Sequence, residues 1–157
     1  MIITVAVTVS AALAPAMAEA SINPLYCGQG VPFISGGAVG SRAQAVGANP
    51  YRVVATYYYK QRKQPQDTRV MRLGTSSWGF IHIRNGRGWS SPDTYVIVGC
   101  VLTYGRPVKR EGHSYTFRFR FPSWAPAGKA TGREFEVIYE TSGGPKGVIT
   151  AYSTDMV

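Results

Sequence analysis

SYTFRFRF, from Ser114 to Phe121, alternates without a fault: Tyr115, Phe117, Phe119 and Phe121 fall on one parity, Thr116, Arg118 and Arg120 on the other. Successive side chains of a strand point to opposite faces, so the pattern predicts a half-buried antiparallel strand with an aromatic inner face and a basic outer one. Downstream, Pro122 to Gly132 reads as a loop. Phe135, Val137 and Tyr139 then alternate with Glu134, Glu136 and Ile138, and the turn residues Ser142-Gly143-Gly144-Pro145 lead into GVITAYS. Residues 134–140 and 146–152 should therefore form a hairpin. Upstream, Ser90-Ser91-Pro92-Asp93 combines a serine cap, a proline at the first helical position and an early acid, with Gly105 as a stop. These signals predict a helix over 92–104, although Val96, Ile97, Val98 and Val101 favour strand and Gly99 weakens a helix. YRVVATYYY, 51–59, is β-branched and aromatic and reads as a strand. The expected fold is α+β: one or two short helices from the middle third, packed on a twisted antiparallel sheet of three to five strands.

The 157 residues suit a single domain, with 45% hydrophobic and 16% charged side chains. Residues 1–18 carry no charge and end in Ala16-Met17-Ala18, which predicts a signal peptide cleaved before Glu19 and a secreted, extracellular product. The segment is short and broken by Pro15, so no stable membrane span is expected after cleavage. Residues 19–50 form a Gly- and Ala-rich lead-in without periodicity, and 51–157 the α+β domain. Cys27 and Cys100 are the two cysteines, and in an exported chain a lone pair reads as one disulfide. It would tie the lead-in to the 92–104 helix and, by loop-entropy reasoning, contribute about 4 kcal/mol.

The net charge of +9 favours a polyanionic partner such as nucleic acid, anionic lipid or teichoic acid. Lys60, Arg62, Lys63, Arg69 and Arg72 crowd one stretch against Asp67. It is either a solvated loop or a nucleic-acid contact with the neighbouring tyrosines as stacking platforms. The spacing of Cys27, His82, Cys100 and His113 matches no structural zinc pattern, and the acids are too scattered to hold catalytic metal ions. No metal and no cofactor are expected. WGFIHIRNGRGW, Trp78 to Trp89, sets His82 among aromatics beside Arg84 and Arg87. Histidine moves protons near neutrality and arginine binds phosphate; the competing reading is a packed, hydrogen-bonded histidine. A metal-poor basic site suits RNA, whose 2′-OH is an internal nucleophile once a base takes its proton.

His82-Ile83, three residues, then Arg87-Gly88-Trp89 resembles the His-Ile-x-x-x-His-Gly-Trp motif of exported toxin domains in the barnase, EndoU and RelE-like ribonuclease superfamily. Gly147-Val148-Ile149-Thr150-Ala151-Tyr152-Ser153 is similar to their final strand, and the likeness covers residues 78–152. It implies a secreted metal-independent endoribonuclease or ribonuclease-type toxin leaving a 2′,3′-cyclic phosphate, with RNA and a proteinaceous inhibitor as partners. His82 would be the general acid or base, Arg87 the phosphate clamp, Thr150 and Tyr152 the positioning hydroxyls, and Arg84, Arg118 and Arg120 the substrate-binding cations. Arg87 stands where the family pattern has a second histidine and cannot itself deprotonate, so a partner must come from His113, Glu134, Glu136 or Tyr152. The alternative is a secreted, non-catalytic basic module that binds cell-wall polymer or an acidic partner, with Thr150 and Tyr152 as ordinary strand residues and Arg118 and Arg120 on a solvated face.

Overall fold

The computed structural model describes residues 27–28, 49–58, 68–141 and 146–155. The expected signal peptide, most of the lead-in, the basic residues Lys60, Arg62 and Lys63, and the turn at 142–145 lie outside them. Eight main elements follow one another: β1 (Val53–Tyr58), β2 (Thr68–Arg72), α1 (Gly79–Arg87), α2 (Ser91–Tyr104), β3 (Arg106–Glu111), β4 (Ser114–Arg120), β5 (Glu134–Glu140) and β6 (Gly147–Ser153). The strands make one antiparallel sheet in the order β1-β2-β6-β5-β4-β3. The fold is α+β, with six strands among the described residues rather than the three to five expected.

Alternation carries the sheet. Phe117, Phe135, Val137, Val148 and Ala151 are all buried, and with Ile97, Val98, Val101 and Leu102 of α2 they make the core. α2 is apolar nearly all round, so helix-disfavouring valines are tolerated because most of its surface is covered. Its start is as the sequence predicts: Ser90 Oγ accepts from the Asp93 amide at 3.2 Å and donates to Asp93 Oδ2 at 2.6 Å. Cys100 of α2 is bonded to Cys27, with Cα atoms 5.4 Å apart, so the expected disulfide is present.

Three elements were not placed by the sequence. WGFIHIRNGRGW forms a helix over Gly79–Arg87, closed by Gly88 at φ 61°. Arg69 and Arg72 sit in β2, a strand where the basic run suggested loop. RPVKRE, which follows the Gly105 stop, is the edge strand β3, exposed at all six positions.

Two irregularities shape the ground near β6. The β5–β6 register steps from Ile138↔Thr150 to Tyr139↔Val148, which leaves Ile149 as an extra residue. Val148 and Ala151 therefore both reach the core although three apart, and Thr150 and Tyr152 share the opposite face. β2 pairs with β6 at Met71↔Gly147, and α1 packs against both strands.

Candidate functional site

β4, β5 and β6 place Arg118, Glu136 and Tyr152 side by side, since Arg118 is paired with Glu136 and Glu136 with Tyr152. The three lie on the face turned away from α2, because Phe117, Phe135, Val137 and Ala151 occupy the other parity. Arg118 donates to Glu136 Oε1 from Nε at 2.7 Å and from Nη2 as well, while Tyr152 Oη donates to Glu136 Oε2 at 2.5 Å. Glu136 is only 7% exposed. A carboxylate so covered requires donors on its oxygens, and the strand register supplies one to each. The hydrogen bond to Glu136 first, and burial second, push the Tyr152 hydroxyl up to about 12, so it remains a proton donor at neutral pH.

A second row continues one strand pair further. Arg120 lies 3.7 Å from Glu134 Oε2 and donates to Asp155 Oδ1 at 3.3 Å. Thr154 Oγ1 donates to Glu134 Oε1 at 3.0 Å, and Asp155 Oδ2 accepts from the Glu134 amide at 2.6 Å. Arg118 and Arg120, expected to steer a polyanion, are thus paired with carboxylates of the neighbouring strand. Opposite charges facing each other across a sheet are a favourable pairing in their own right.

α1 brings a second cation to the first row. Its last residue, Arg87, donates from Nε to the Ala151 carbonyl at 3.1 Å, and its guanidinium carbon lies 5.7 Å from the centre of the Tyr152 ring. His82 is on the same helix but points elsewhere: five residues of α-helix turn the side-chain direction by about 140° and rise about 7.5 Å. Its ring Nδ1 is 2.7 Å from the Ser76 carbonyl oxygen. A carbonyl can only accept, so Nδ1 carries the hydrogen and Nε2 is left for proton transfer. Arg84 is turned along its own helix, with Nε donating to Asn85 Oδ1 at 3.2 Å and the guanidinium 5.9 Å from the Phe80 ring centre.

Of the residues singled out in the sequence, Arg87, Arg118 and Tyr152 meet on one surface. Thr150 lies on the same face, its buried Oγ1 without a hydrogen-bond partner among the described residues. His113 sits at the other end of β4, exposed, its carbonyl accepting from the Thr141 amide and hydroxyl. Glu136, one of four partners considered for His82, proves to be the hub. Glutamates alternating along EFEVIYE opposite arginines alternating along SYTFRFR were the signal for it. Among the described residues no three His, Cys, Asp or Glu side chains are grouped to hold a metal ion, and no helix is long and apolar enough to cross a membrane. Compared with protein-family models, with curated proteins and with solved structures, the chain matches none.

Proposed function

We propose that the protein is a secreted endoribonuclease, of the ribonuclease-toxin kind its sequence resembles, working without a metal ion at the Arg118–Glu136–Tyr152 row. The observation that carries the reading is a buried carboxylate held between a guanidinium and a phenol, with the Arg87 guanidinium brought to the phenol by a separate helix. Glu136 accepts the 2′-OH proton, and the 2′-oxygen attacks phosphorus as the bond to the 5′-oxygen breaks. Arg87 and Arg118 stabilise the charge that grows on the phosphorane, and Tyr152 keeps its proton and orients Glu136. The leaving 5′-oxygen takes its proton from solvent water and protonated Glu136 returns its own to solvent, because His82 points away from the row and its neutral ring carries its hydrogen on Nδ1. The products are a 2′,3′-cyclic phosphate and a 5′-hydroxyl, so protons and bonds balance without a metal.

The test is to incubate the oxidised protein with end-labelled RNA in excess chelator and analyse the new ends. Cyclic phosphate is the expected product; open 3′- or 5′-phosphates as primary products overturn the mechanism. One observation favours the alternative, a basic module that binds cell-wall polymer or an acidic partner. Both oxygens of Glu136 are already engaged, and His82 bonds to Ser76 rather than to any member of the row. Under that reading the row is a cross-strand clasp, and no RNA is cut.

A further inference from the structure

Trp124 is 64% exposed, whereas Trp78 is 9% exposed and Trp89 packs edge-on against Phe135 at 5.6 Å. Scattered exposed apolar residues are ordinary, so exposure by itself says nothing. What distinguishes Trp124 is the frame that holds it. The loop from Pro122 to Gly132 is pinned by Ala125, Ala127 and Ala130, each buried, and includes the 3₁₀ turn Gly128–Ala130. The Ala125 and Gly132 amides both donate to the Pro122 carbonyl, at 3.1 and 3.3 Å, and Thr131 Oγ1 donates to the Ala125 carbonyl at 2.8 Å. A tethered loop with three small anchors thus presents one large aromatic ring to water.

The loop also joins the site. Arg120, two residues along β4 from Arg118, keeps a half-exposed guanidinium that donates to the Gly132 carbonyl at 3.3 Å. Gly132 packs against Ser123, the residue before Trp124. Trp124 therefore stands four residues beyond Arg120, on a loop that the Arg120 guanidinium holds at its far end. Arg118 and Arg120 are about 7 Å apart along the strand, a step that suits successive phosphates of an extended strand.

We propose that Trp124 is a stacking platform for an unpaired nucleobase next to the scissile phosphodiester, so that the site takes single-stranded rather than duplex RNA. This rests on the ribonuclease reading for its position, and on charge and an exposed ring for its chemistry. An all-2′-deoxy octanucleotide, which lacks the internal nucleophile, serves as probe with the full-length oxidised protein, read by tryptophan fluorescence and anisotropy. Trp124→Ala should raise Kd roughly 5- to 150-fold, the span expected for one lost stack, and Trp124→Phe should restore most of the affinity. The same octamer in duplex should bind more weakly. Trp124→Ala binding within twofold of wild type, or a duplex binding as tightly as the single strand, overturns the platform. If RNA is cut to cyclic phosphate while Trp124→Ala keeps its affinity, the platform falls and the enzyme stands. If no RNA is cut but the octamer binds through Trp124, the enzyme falls and the platform stands.

Discussion

Tyr152 is the residue at which the site's electrostatics are easiest to read out. Its neutral form is favoured in the folded protein by the Glu136 carboxylate that it bonds, so its hydroxyl titrates at about 12 instead of 10. A raised folded-state value means that the stabilisation is fully present below pH 10, where both folded and unfolded states hold the proton. It is then lost as pH rises through the folded value. The melting-temperature gap between wild type and Tyr152→Phe should be constant up to pH 10 and shrink toward pH 12. In the ultraviolet, the tyrosinate band lost in the variant should be the one that appears near pH 12; a lost band titrating near 10 would mean that Tyr152 is not bonded to Glu136. At this scale the residue types were legible, since arginine, glutamate and tyrosine each stand on an alternating strand. The meeting of Arg118, Glu136 and Tyr152 was not legible, because it depends on pairing register and on the extra residue at Ile149, which moves Thr150 and Tyr152 relative to Val148. His82 drew attention by rarity, and rarity carries no direction: the helical phase of α1 decides where the ring points.

Among the elements, β4, β5, β6 and α2 announced themselves through unbroken alternation or a complete set of end signals. Those missed are the ones where local chemistry is weak. α1 starts at Trp78 without a side-chain cap and carries Gly79 and Gly86, so neither propensity nor capping marks it; packing of Phe80 and Ile83 makes the helix. β3 opens on Arg106-Pro107 and is exposed on both faces, which erases the alternation that exposes a strand to sequence reading. β2 is short and ends in charge, and its tie to β6 is narrow. At that tie Gly147 adopts φ 70°, and a Cβ there would come within 2.5 Å of the Val70 carbonyl oxygen. Gly147→Ala should therefore cost about 1–3 kcal/mol through backbone strain and loosen the β1–β2 ribbon from the rest of the sheet. Hydrogen exchange should show lost protection first at Val70 and Met71; uniform loss across the sheet, or none, would contradict this picture of the join.

For the molecule as a whole, the disulfide and the charge set the terms on which the site works. Cys27 and Cys100 are separated by 73 residues, and Gly28 packs against Pro122 at the base of the Trp124 loop, so Cys27 and Gly28 are fastened to both helix and loop. The Cys27→Ser/Cys100→Ser double variant should lose about 4 kcal/mol of unfolding free energy in denaturant titrations, whereas a loss below 1 kcal/mol would show that the lead-in is held by other contacts. The surplus of +9 resides on the molecule, while the row itself sets Arg118 against Glu136 and Arg120 against Glu134 and Asp155. The positive surplus thus lies outside the row, and under the proposed function the row is where chemistry takes place. The most direct measurement of that claim is the rate of chelator-resistant RNA cleavage by Glu136→Gln beside wild type, with melting temperatures taken on the same samples. Glutamine keeps the size of Glu136 but cannot take a proton at neutral pH, so the rate should fall by about 10²- to 10⁴-fold while the variant remains folded. A folded Glu136→Gln protein that cuts RNA at the wild-type rate would contradict the account.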